Sequence, residues 1–405
     1  MLEKFYSKFQ RVTSNRLYIP ELDGIRTFGL FMVICFHGYA YYRNKASAPF
    51  AEDMSSFAWL DQLMVNFHIA LPIFFMLSAF ILSIPFANQY INGGKKTDIK
   101  KYYLRRLTRV EPPYFTVIIL LFVLLLATKT HMTIGGNIFN PNHYFSGPIT
   151  FSELWPSFLA SLCYVHLIVM QHAPYLTVVA WSLEVEIQYY CSGPLLFKIY
   201  TLKKYTRRII MILATIAIVL LHDIYQPKTE TIYWFFQFFI MGIFLADLYV
   251  TDVGTKTFKN NWILVPFLIA LGGILYLPKY TQILQTEKLF ASIPLPFLIA
   301  FFIFTSIKNP FIKKLFSNKI MTIIGGMGYS IYLLHYPVIS FVGHFTTSIR
   351  ITNHFLPNAI FHLLVVMASV FPVAAVFFLY VEKPFMASKW VEKLGKKKEK
   401  AAVVE

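Results

Sequence analysis

The chain has 405 residues, 57% of them hydrophobic and only 14% charged, with a mean hydropathy of +0.55. A soluble protein of this size cannot bury so much apolar surface, so lipid must solvate much of it, while 41 Phe against 18 Gly, 21 Pro and 3 Cys exclude disorder, a collagen-like fibre and a disulfide scaffold. A net charge of +17 would suggest nucleic acid in a soluble domain, whereas in a polytopic membrane protein it marks the cytoplasmic loops.

The first 20 residues, MLEKFYSKFQRVTSNRLYIP, are basic and amphipathic and read as a surface-lying cytoplasmic segment, not a signal peptide. Ten apolar stretches follow, at 24–42, 65–86, 112–128, 176–197, 208–222, 231–249, 262–277, 289–306, 321–345 and 358–381. Each is near the roughly 20 residues that cross about 30 Å of hydrocarbon. The long outer segment 129–175 holds one more apolar run, 151–170. Counting that run as a crossing would put Lys203, Lys204, Arg207 and Arg208 outside, so it reads as an interfacial or re-entrant helix. With the N-terminus inside, the inner segments carry 29 of the 37 Lys and Arg and the outer loops 7, which places both ends in the cytoplasm. The six Trp fall near span ends, as an aromatic belt requires. Cys35, Cys163 and Cys191 form no CxxC and carry no disulfide or zinc message. The expected fold is an all-α polytopic membrane bundle of about ten transmembrane helices, with a membrane domain at 21–385 and a basic cytoplasmic tail at 386–405.

Ionisable groups inside spans are costly and are functional candidates by default. They crowd into the first four spans and their inner loops. In ELDGIRTFGLFMVICFHG, Arg26 and His37 are eleven apart, three helical turns plus 20°, so they share a face at about 16 Å along the axis. Arg26 alone could snorkel, and His37 could be a packing histidine. Yet His37 lies past the midplane with no charge beside it in sequence, and His68 has a similar depth on the next span. In KKYYLRRLTRVEPPYF, Arg106 and Arg109 share one face with Arg105 beside it. That spacing suits bidentate capture of phosphate, although composition alone favours an ordinary positive-inside cluster. Pro112-Pro113 should bend the chain there. In WSLEVEIQYY, Glu184 and Glu186 point about 200° apart, so at most one faces a given cleft. Trp181 reads as a belt residue. In GMGYSIYLLHYPV, the glycines serve helix packing, and His335 precedes Pro337 at an expected kink. With no HExxH and no carboxylate ligand set, no metal is expected.

In this order LDGIR with its following His, FFMLSAF, RRLTRVEPPY, WSLEVEIQYY, YSIYLLHYP and VEKPF resemble the integral membrane acyltransferase 3 family, from residue 21 to 385. The resemblance implies transfer of acyl groups, mostly acetyl from acetyl-CoA, to sugars of surface polysaccharides and related acceptors. Position by position it implies that His37 is the essential histidine and Arg26 the first-span arginine. Arg106 and Arg109 match the RxxR pair of donor handling, and Glu186, not Glu184, the acid of the tryptophan motif, with Tyr190 following. The sequence departs at Pro72, where an acidic residue is common, and at Ala79, where Gly is usual.

Joined to the residue reading, the resemblance makes acyl-CoA the co-substrate, its phosphates held by Arg105, Arg106 and Arg109 with Arg26 at the inner mouth. His37 is general base or acyl carrier, supported by Glu186. Trp181, Tyr190, His335 and His68 are acceptor-side or structural candidates. The expected partners are acyl-CoA, a carbohydrate or glycolipid acceptor and membrane lipid, in the inner or plasma membrane, with no nucleic acid. A proton-coupled secondary transporter is the rival from another class, but it would carry a matching second set of broken, polar helices. A small-molecule or lipid-linked acceptor is the alternative within the same chemistry.

Overall fold

A computed structural model describes residues 6, 8–11, 18–46, 53, 54, 56–127, 150–225, 229–276 and 292–386. Most of the segment 1–20, the outer residues 128–149 and the tail beyond Met386 with Trp390 lie outside the described residues, as do Lys129, Lys228, Lys279 and Lys288. The described residues contain helices and no strand. In chain order the helices are α1 (Pro20–Ala46), α2 (Ala58–Asn66), α3 (Ala70–Asn92), α4 (Ile99–Ala127), α5 (Phe151–Leu162), α6 (His166–Met170), α7 (Trp181–Leu196) and α8 (Lys204–Ile224). Then come α9 (Ile232–Val250), α10 (Leu264–Tyr276), α11 (Pro294–Lys308), α12 (Pro310–Phe316), α13 (Lys319–Gly326), α14 (Gly328–Thr346) and α15 (Phe355–Phe377).

Among the described residues five helices are long and apolar enough to cross a membrane: Ala58–Asn92, Ile99–Ala127, Lys204–His222, Ile232–Val250 and Phe355–Met386. A sixth is added if α11 and α12, bent by 92°, form one broken span. The described residues are thus all-helical, with the several long apolar helices of a multi-pass membrane protein. With 27 residues, α1 is about 40 Å long, yet it is not among the five. Glu21, Asp23 and Arg26 on its buried side lower its hydropathy, because this helix lines the polar interior.

The 151–170 run folds as a hairpin of α5 and α6. Going down α5, Phe158 stacks on Phe122 at 4.2 Å, Tyr164 on Tyr114 at 4.7 Å, and the Tyr164 hydroxyl donates to Glu111 at 3.2 Å. These contacts run from Phe122 back to Glu111, eleven rises of α4 or roughly 16 Å, so the hairpin packs lengthwise against that helix. The tip turns on Tyr164 itself, in the left-handed region at φ 55°. That conformation costs a non-glycine residue roughly 1–2 kcal/mol, which the stacking and the Glu111 bond offset.

Close backbone approach positions α1. A Cβ on Gly24 would collide with the Phe316 carbonyl, and one on Gly325 with the Asp23 carbonyl. The Thr27 hydroxyl donates to Met321 O at 2.5 Å. On the opposite side, Ala79 of α3 lies against Gly242 of α9, where an added Cβ would be 2.5 Å from the Ala79 Cβ. The residue that departs from the family pattern is therefore matched by a glycine across the contact.

Several local expectations change. The chain breaks at Met327 between α13 and α14 and at Asn309, while α14 continues through Pro337 and α4 through Pro112-Pro113. Asn309 is fully buried and makes the 92° bend. Its side chain accepts from Phe311 N and Ile312 N and donates to Phe258 O at 3.0 Å, capping α12 ahead of Pro310. Trp59, Trp155 and Trp262 are exposed as a belt requires, but Trp181 and Trp234 are buried in the bundle. Arg207 and Arg208, counted as loop charges, both bind the fully buried Asp247 at 2.5 Å.

Candidate active site

Helices α1, α3, α4, α7, α13 and α14 enclose a cavity of about 150 Å³. Its polar wall gathers Arg26 from α1, Ser78 from α3, Arg106 and Arg109 from α4, and Ser182, Glu186 and Tyr190 from α7. Arg105, one residue off the shared face, is exposed and does not line the cavity. The helical spacing that pairs Arg106 with Arg109 turns Arg105 outward.

Each guanidinium has a different setting. Arg26 binds Asp23 at 2.5 Å across one turn of α1. Arg106 lies over the Tyr190 ring at 5.8 Å, and its Nε is buried without a hydrogen-bond partner among the described residues. Arg109 feels the Glu382 carboxylate. Glu382, from the VEKPF motif at the π-helical turn ending α15, also accepts from Ser330 N at 3.0 Å and Ser330 Oγ at 2.5 Å, pinning the start of α14. A further arginine, Arg11, enters from the N-terminal segment, lines the same cavity and reaches Asp23 at 3.3 Å. Burial first, then the nearby Arg109 and Arg26, hold the Arg11 guanidinium well below its ordinary range. Burial and the Asp23 carboxylate push the Tyr18 phenol up to about 12.

The two carboxylates of α7 divide between two faces. Glu186 turns to the cavity, where Ser78 Oγ donates to it at 2.5 Å and Tyr190 bonds the same group. Glu184 is fully buried on the other face and accepts Leu167 N at 2.9 Å at the start of α6. It holds the α5–α6 hairpin by its backbone.

The histidines lie beyond the cavity. His37 and His335 face each other with ring centroids 5.3 Å apart, and Tyr336 meets His37 edge-on at 5.2 Å. Phe36 separates His37 from His68, which lies 6.5 Å from Trp181. His335 Nδ1 meets the Tyr332 carbonyl at 2.6 Å, so Nδ1 carries the proton; Nε2 is buried with no partner among the described residues. Tyr332 links the two regions. It lines the cavity, bonds Ser182 and Val179 O by its hydroxyl, and sets its ring 5.7 Å from His335.

Of the residues singled out in the sequence, Arg26, Arg106, Arg109, Glu186 and Tyr190 line the cavity, and His37, His335, His68 and Trp181 adjoin one another beside it through ring contacts, whereas Arg105 and Glu184 lie apart. Sequence reasoning missed Arg11, Ser78, Ser182, Tyr332 and Glu382. Ser78, Ser182, Tyr332 and Glu382 sit inside the quoted FFMLSAF, WSLEVEIQYY, YSIYLLHYP and VEKPF motifs, and Arg11 alone had no motif to signal it. Among the described residues no group of three or more His, Cys, Asp or Glu comes together to hold a metal ion. The arrangement suits an anion held against the guanidiniums and proton transfer at the histidines.

A family model described as an acyltransferase domain matches residues 19–380. A protein of Staphylococcus aureus strain COL, named only provisionally as an O-acetyltransferase, is 24% identical over 357 residues, covering 84% of this chain and 53% of the relative. O-acetyltransferase OatA of Staphylococcus aureus strain NCTC 8325 is 22% identical over 358 residues, covering 84% of this chain and 54% of its own. The chain therefore spans about half the length of these curated relatives. No solved structure matches it.

Proposed function

The chain belongs to the acyltransferase 3 family, and from that premise we propose that it is a membrane O-acyltransferase. It moves an acyl group, chiefly acetyl, from cytoplasmic acyl-CoA to a hydroxyl of a carbohydrate acceptor such as a surface or exported polysaccharide. The observation that carries the reading is the single cavity that joins Arg26, Arg106 and Arg109 to Glu186, with His37 beyond Tyr332. Arg26 and His37 are separated along α1 by about 16 Å, a distance that an extended pantetheine arm spans.

In this mechanism the arginines hold the donor's phosphates by charge-assisted bonds. His37 takes the proton from the acceptor hydroxyl as its oxygen attacks the thioester carbonyl carbon. The C–O bond forms, the C–S bond breaks, and the CoA thiolate leaves and is reprotonated. His335, with its proton fixed on Nδ1, orients the His37 ring. Glu186 supports the charge that develops below it. The topology that goes with this reading has about ten spans, both termini cytoplasmic, the membrane domain at 21–385, and residence in the inner or plasma membrane.

The test follows label from radioactive acetyl-CoA into surface glycan, using membranes that contain wild type or His37→Ala at equal abundance. Loss of transfer in the variant, with no acetyl-CoA-driven solute flux in wild-type proteoliposomes, supports the reading. Retained transfer by His37→Ala sinks it.

A further inference from the structure

We propose that Arg11, contributed by the chain ahead of the family domain, is a phosphate-binding residue of the acyl-donor site. This rests on the donor reading above. The family match begins at residue 19, so Arg11 lies ahead of the matched region. It is nevertheless held in place. The Lys319 ammonium lies 4.7 Å over the Tyr6 ring, Lys383 Nζ donates to the Lys8 carbonyl, and Phe9 packs against the apolar core. Gly326 provides the bed. A Cβ there would stand 3.5 Å from the Arg11 Cβ and 3.9 Å from Phe9 O, in ordinary contact.

These contacts aim the Arg11 side chain, only 18% exposed, into the wall that already contains Arg26, Arg106 and Arg109. Four guanidiniums there have few acids among them. Arg11 and Arg26 share the one carboxylate Asp23, Arg109 has Glu382, Glu186 is engaged by Ser78 and Tyr190, and Arg106 Nε is unpartnered among the described residues. Buried like charges at such density are stable when an anion joins them. Burial first, and then the neighbouring Arg109 and Arg26, lower the Arg11 guanidinium from its ordinary range. A ligand with a thioester at one end and several phosphates at the other matches a cavity that is cationic at one end and leads to histidine at the other.

The experiment compares two donors on the purified full-length protein: acetyl-CoA, and S-acetylpantetheine, which has the same thioester and no phosphate. Arg11→Ala should raise KM for acetyl-CoA about tenfold or more, as loss of one charge-assisted bond implies, with kcat within about twofold and KM for S-acetylpantetheine unchanged. Arg11→Lys should recover most of the loss. An unchanged KM for acetyl-CoA overturns the proposal. So does an equal loss with both donors, which would make Arg11 only a support for Asp23 and Arg26. If wild type uses S-acetylpantetheine as well as acetyl-CoA, or no acetyl-CoA at all, the donor reading falls and this inference with it.

Discussion

Glu184 and Glu186, two residues apart on α7, serve opposite faces of one helix. Glu186 accepts from Ser78 at 2.5 Å in the arginine-lined cavity, and Glu184 accepts from the Leu167 backbone at 2.9 Å in the α5–α6 hairpin. Glu186→Gln should therefore lower kcat about 100-fold while the protein accumulates normally. Glu184→Ala leaves a buried N–H without its acceptor and should lose about 1–3 kcal/mol of stability, with smaller effects on transfer. Transfer rates and thermal unfolding midpoints in detergent separate the two, and equal kinetic losses would contradict the division.

Arg105 and Arg106 are neighbours with different outlooks, the first exposed and the second in the cavity wall. Arg106→Ala should raise KM for acetyl-CoA at least tenfold, as should Arg109→Ala, whereas Arg105→Ala should change it less than threefold. Steady-state kinetics at constant ionic strength decide. A large Arg105 effect would mean the donor lies across the cytoplasmic face rather than in the cavity.

His335 presents its ring to His37 at 5.3 Å with Nδ1 committed to the Tyr332 carbonyl. Replacing it with Phe preserves the volume but not that bond. The expected result is a kcat lowered about tenfold with donor KM unchanged, because His335 touches the base and not the donor. An unaltered kcat would reduce His335 to packing.

Gly24 and Gly325 let α1 meet α12 and α13 at backbone contact, since a Cβ at either would strike a carbonyl. Neither carbonyl can swing away as a side chain would, so Gly24→Ala and Gly325→Ala should each cost about 3 kcal/mol or more and deplete the folded protein. Gly272 in α10 has nothing within 4 Å of such a Cβ. Gly272→Ala should be neutral or stabilising by up to about 1 kcal/mol. Fluorescence size-exclusion after heating compares the three.

Asp247 is the buried carboxylate shared by Arg207 and Arg208. Asp247→Ala strands two guanidiniums and should cost about 3–5 kcal/mol, and the triple variant that also replaces both arginines with Met should regain most of it. The donor KM of the surviving protein should not move, because none of these three residues lines the cavity.

Much of the molecule was legible from residue order alone. Apolar run length and charge bias require a helical, lipid-solvated chain, since only helices satisfy backbone groups in hydrocarbon over such lengths. Helical periodicity alone put Arg26 and His37 on one face, set Arg106 and Arg109 together and turned the two glutamates apart. What it could not decide depended on contacts between segments distant in the chain. Periodicity says which residues share a face, not which helix that face meets. Only packing assigned Glu186 to the arginines and Glu184 to the hairpin, and only packing set His335 against His37. Only the folded chain drew Asp247 to two loop arginines that looked purely topological. The opening charge of +17 read only as loop lysines and arginines. That one of its earliest members, Arg11, turns inward to join three others around a cavity follows from the docking of Tyr6 and Phe9 on the bundle, and no local pattern encodes that.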